Sequence, residues 1–133
     1  MRLTVFVSLV IGSVLLFVAM PVFSHHSFMS EFDLNKPVTL GGTVTKFVWM
    51  NPHALFNMDV MDKKNGKVTN WTLETACPNA LLGHGWNRNS VKPGDRIRVE
   101  GYLAKNGTPL AATKRVTLAS GQTLMADSDG VRP

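Results

Sequence analysis

The sequence is short of the residues that most often announce a chemistry. Cys77 is the single cysteine, so no internal disulfide can form and a bridge framework of the kind that staples small secreted domains is excluded. Cys77 is then read as a buried thiol, with a ligand or an intermolecular partner as the alternatives. Charged residues make up only 17% of the chain, and the net charge of +5 is scattered, with Lys63-Lys64 and Lys114-Arg115 the adjacent basic pairs. A basic stripe that would track a phosphate backbone is missing, which argues against nucleic acid as the partner. There is no Ser-His-Asp spacing, phosphate loop or zinc-protease signature. Asp59, Asp62 and Glu74 supply carboxylates without a recognisable acid and base pair. The chain therefore reads as a binding protein rather than an enzyme.

What is present begins with one long apolar run. From Leu3 to Phe23 there is no charge, Arg2 precedes the run, and Val22 and Ser24 stand where signal peptidase wants small residues. Residues 1–24 are predicted to be a signal peptide cut between Ser24 and His25. An uncleaved anchor is the competing reading, since about 20 apolar residues can span a bilayer. Pro21, followed by a small residue at the cut, favours cleavage. The expectation is a periplasmic or secreted protein without membrane contact after cleavage, starting at His25. What remains, roughly 110 residues, is one small domain.

The mature chain reads as an irregular arm over 25–37, a β domain over 38–119 and a polar, fraying tail over 120–133. Apolar and polar positions alternate in Val38 to Trp49, Ala54 to Asp62, Val68 to Ala76, Arg96 to Ala104 and Leu110 to Ala119. Asn65-Gly66 is a strong hairpin signal between the second and third of these, and Gly41-Gly42 reads as a bulge or bend in the first. Pro78, the pair Leu81-Leu82 and then Gly83 and Gly85 outline one short helix. Three strands, a helix and two strands is the element order of an OB-like five-stranded barrel. A small antiparallel sandwich or meander is the alternative. The predicted core is Val44, Leu55, Met58, Val60, Trp71, Leu73, Leu81, Leu82, Ile97, Val99 and Val116.

The segments "HHSFMSEFD", "KPVTLGGTVTKFVWMNPH", "WTLETACPNALLGHGW" and "KPGDRIRVEGYLAKNG" closely resemble a group of small exported bacterial proteins classed as a domain of unknown function. The resemblance extends over nearly all of residues 25–125. It implies export and one β-rich domain, and it carries no activity.

The histidines carry the most pointed chemistry. A mature N-terminal His25 would offer its α-amine and its imidazole, a nitrogen pair suited to Cu(II) in tetragonal geometry. His53, in the "NPH" turn, is the candidate third ligand, and His26 a further one. An arm of 13 residues, about 43 to 47 Å when extended, could run back along the first strand to His53. Met50 is a possible thioether ligand. His84, between two glycines, reads as structural. The competing function is a non-enzymatic module that binds a peptide, glycan or protein partner through a groove near Trp49, Asn51 and Trp71.

Overall fold

The computed structural model describes residues 28–127. After a single helical turn, α1 (Phe28–Glu31), come β1 (Phe32–Val48), β2 (Leu55–Met61) and β3 (Val68–Glu74). A short helix, α2 (Pro78–Gly83), leads to β4 (Arg96–Ala104), β5 (Leu110–Leu118) and β6 (Thr123–Met125). The sheet order is β3-β2-β1-β4-β5-β6, and β3 also pairs with β5. That last pairing is parallel, with Glu74 opposite Ala112, and it closes β1 to β5 into a ring. The architecture is the expected OB-like five-stranded barrel with one short helix between the third and fourth strands.

Closure requires shear. Along the hydrogen-bonding direction Val48 faces Leu55, Leu55 faces Glu74 and Glu74 faces Ala112. Ala112 then faces Tyr102 and Tyr102 faces Pro37. The circuit thus returns to β1 about eleven residues upstream of its start. The beginning of β1 and the end of β3 consequently share one rim of the barrel.

The first strand bends where two neighbours must approach it at once. Thr43 pairs with Asp59 of β2 and with Arg96 of β4. A Cβ on Gly42 would be driven into the Asp59 carbonyl, whereas one on Gly41 would meet open space. The sequence-predicted bulge at Gly41-Gly42 is therefore a site of close backbone approach at Gly42. The register shift lies just after it, between Val44 and Lys46.

The core holds Val44, Met58, Leu73, Leu81, Ile97, Val99 and Val116 as expected. Leu55, Val60 and Trp71 are only half-buried, and Leu82 is 56% exposed. A helix this short buries one face, so only one of two adjacent leucines can point inward. Phe56 and Trp86 fill the space instead.

Both ends of the barrel extend beyond their predicted limits. Strand β1 starts at Phe32, six residues into the expected arm, because Phe32 buries itself against Ala104, Leu110 and Ala112. The backbone N–H of Lys105 also donates to the Glu31 carbonyl (2.9 Å). At the other end, part of the expected polar tail is strand β6, paired with β5. Leu124 and Ala126 are buried, and Trp86 Nε1 donates to the Met125 carbonyl (2.7 Å).

Gly42→Ala is expected to destabilise the fold by about 1–3 kcal/mol through overpacking, and Gly41→Ala by less than about 0.5 kcal/mol. Equilibrium denaturation of the two variants checks this, and equal effects would contradict the assigned role of Gly42.

Candidate functional site

The β2–β3 ladder does not stop at Leu55 and Glu74. Thr75 N–H donates to the Ala54 carbonyl (2.9 Å), and Ala54 N–H donates to the Ala76 carbonyl (3.2 Å). Two residues thus oppose one, the pattern of a bulge. The Thr75 carbonyl is passed over by the ladder, and His53 takes it, with Nδ1 at 3.1 Å. Thr75 itself is buried, its hydroxyl donating to the Ala54 carbonyl (2.7 Å).

This contact sets the chemistry of the imidazole. A carbonyl can only accept, so Nδ1 carries a proton and the neutral ring keeps its lone pair on Nε2. The Nε2 atom lies 3.6 Å from Glu74 Oε1, with the His53 side chain 43% and the Glu74 side chain 27% exposed. The carboxyl of Glu74 titrates above its usual range, chiefly because burial disfavours the anion. His53 opposes that shift and the charge of Glu31 adds to it. Glu31 therefore acts on the same rim, where the chain enters β1.

Other sequence-predicted site residues are distributed differently. His25 and His26 lie outside the described residues. Met50 is 48% exposed, and Asn51, also exposed, precedes Pro52 through a cis peptide bond. Trp49 packs edge-on against Phe47, with ring centroids 5.9 Å apart. Trp71 faces Met58, which is fully buried, and packs against the core. The tryptophans thus belong to the interior side of their segments. The outward face of β2 and β3 is polar: Asn70 Nδ2 donates to Asp59 Oδ1 (2.7 Å) and Thr45 Oγ1 (3.2 Å), and Asn57 Nδ2 donates to Thr72 Oγ1 (3.0 Å). His84 caps the end of α2, its Nδ1 buried. Among the described residues no group of three or more His, Cys, Asp or Glu could hold a metal ion. On this rim the structure brings the His53 and Glu74 side chains together.

The chain matches the model of a family of unknown function, DUF6152, over residues 13–113. It belongs to that family. The matched span includes both N-terminal histidines, His53 and Glu74. No protein of curated function matches the chain. A solved structure of the mitochondrial single-stranded DNA binding protein from S. cerevisiae is similar over 70% of this chain and 96% of that one, with 12% identity and a TM-score of 0.48. Among the described residues no helix is long and apolar enough to cross a membrane.

Glu74 links stability to pH. A carboxyl raised on folding above its ordinary 4.5 contributes stability that is complete below that value and lost as pH rises through the folded-state value. In metal-free protein, Glu74→Gln should therefore gain stability relative to the parent between about pH 4 and pH 7. Denaturation midpoints across that interval test this, and a constant or shrinking difference would contradict it.

Proposed function

We propose that this protein is exported, is cut after Ser24 and binds Cu(II) through the α-amine and imidazole of His25 together with Nε2 of His53, with His26 or Met50 as further donors. The observation that carries the reading is the His53–Thr75 hydrogen bond. It leaves a half-exposed imidazole nitrogen with a fixed orientation, as metal-bound histidines require. Nitrogen donors of this kind in tetragonal geometry favour Cu(II).

The fold also supports the meeting of terminus and loop. From Glu74 around the ring to Pro37 of β1 is three strand spacings, roughly 14 Å, and Phe32, where β1 begins, pairs with Ala104, two residues along β4 from the Tyr102 that faces Pro37. The seven residues from His25 to Phe32 reach about 23 to 25 Å when extended. The chain has no need to run back along the whole first strand, because shear has already brought its entry point to the rim that bears His53.

The second reading is a module for a peptide, glycan or protein at the exposed Met50-Asn51 turn. Trp49 and Trp71, half-buried with one side packed against the core, offer that partner only part of their ring surface.

Cu(II) titration with electron paramagnetic resonance, applied to protein beginning at His25, separates the two. A tetragonal, nitrogen-rich signal is expected, with affinity falling at least about tenfold both in His53→Ala and in protein carrying one extra N-terminal residue. Equal, weak binding by all three would overturn the copper reading in favour of the binding module.

A further inference from the structure

His53 Nε2 and Glu74 Oε1 face each other at 3.6 Å. With the imidazole proton committed to the Thr75 carbonyl, the neutral ring turns a lone pair toward a carboxylate that is also an acceptor. Two such groups in a partly desolvated rim call for a proton or a cation between them. A strongly hydrated carboxylate would turn outward to water. Glu74 instead stands half-buried in register with Leu55 and Ala112, close to the ring nitrogen.

We propose that Glu74 Oε1 is a second barrel-borne ligand of the ion that His53 binds, so that the rim contributes a nitrogen and oxygen pair. The proposal rests on the reading of His53 as a metal ligand and deepens it. Bonds of about 2.0–2.2 Å to both atoms would subtend about 120° at the ion across the observed gap. Closing the gap by roughly half an ångström, a small side-chain rotation, reaches the angles of a four-coordinate site. The carboxylate also neutralises one of the two charges of the cation, which three neutral nitrogens cannot do. Glu31, whose charge is felt at Glu74, adds negative potential at the same rim. A site with one hard oxygen among nitrogens suits Cu(II) and disfavours Cu(I), which prefers soft donors.

The test is Cu(II) titration against a competing chelator, with electron paramagnetic resonance, on protein beginning at His25 and on its Glu74→Gln, Glu74→Asp and His53→Ala variants, each checked for a parental melting transition. Glu74→Gln keeps the shape of the side chain and removes the charge; Glu74→Asp keeps the charge and withdraws the oxygen. Both should bind at least about tenfold more weakly and show altered hyperfine parameters. Parental affinity in Glu74→Gln, or weak binding in Glu74→Gln with parental binding in Glu74→Asp, would overturn the ligand assignment and reduce Glu74 to bystander or background charge. In either case loss of binding in His53→Ala would leave the proposed function standing. Parental binding by His53→Ala as well would overturn both.

Discussion

The parallel pairing of β3 with β5 is the contact on which the arrangement depends. Without it the strands would form an open, twisted sheet, with the entry of β1 and the end of β3 far apart. With it, hydrogen bonding around the ring can close only by slipping along β1 from Val48 to Pro37, and this slip gathers the two segments onto one rim. Gly42 permits the curl by letting the Asp59 carbonyl approach, and Phe32 holds the entry point by burying its ring against β4 and β5. A β-sheet constraint with no chemistry of its own thus decides which polar residues can meet.

On that rim the local chemistry follows from one irregularity. Because the Ala54 N–H donates to the Ala76 carbonyl, the Thr75 carbonyl is left for His53. The backbone therefore performs the orienting role that a carboxylate often plays toward a metal-bound imidazole, which frees Glu74 to face the other ring nitrogen. Burial of the Thr75 hydroxyl against the Ala54 carbonyl braces the same junction.

Much of the barrel was legible because its signals are local: alternating strands, Asn65-Gly66 and the Pro78 helix start. The five-strand order and most of the core followed from these. The extension of β1 was hidden because Phe32 stands in a stretch without alternation, and its burial depends on small residues far along the chain, Ala104 and Ala112. Strand β6 was hidden for a similar reason, since three residues carry no periodicity and Trp86 supplies the anchor. For the site, the "NPH" histidine stood out, whereas its neighbour Glu74 did not. Counting the β2–β3 register back from the hairpin would have placed Leu55 opposite Glu74 and hence His53 beside it. The bulge at Thr75 that gives the imidazole its direction leaves no mark in residue types.

The central claim is that the barrel rim and the N-terminal histidine share one metal ion. Anomalous diffraction at the copper edge, from crystals of protein beginning at His25 grown with Cu(II), locates that ion directly. The account predicts a single strong peak within about 2.0–2.2 Å of His53 Nε2, with the N-terminal amine on its other side. A peak that lies elsewhere, at His84 or on the polar face of β2 and β3 for example, with His53 Nε2 left bare, would contradict it.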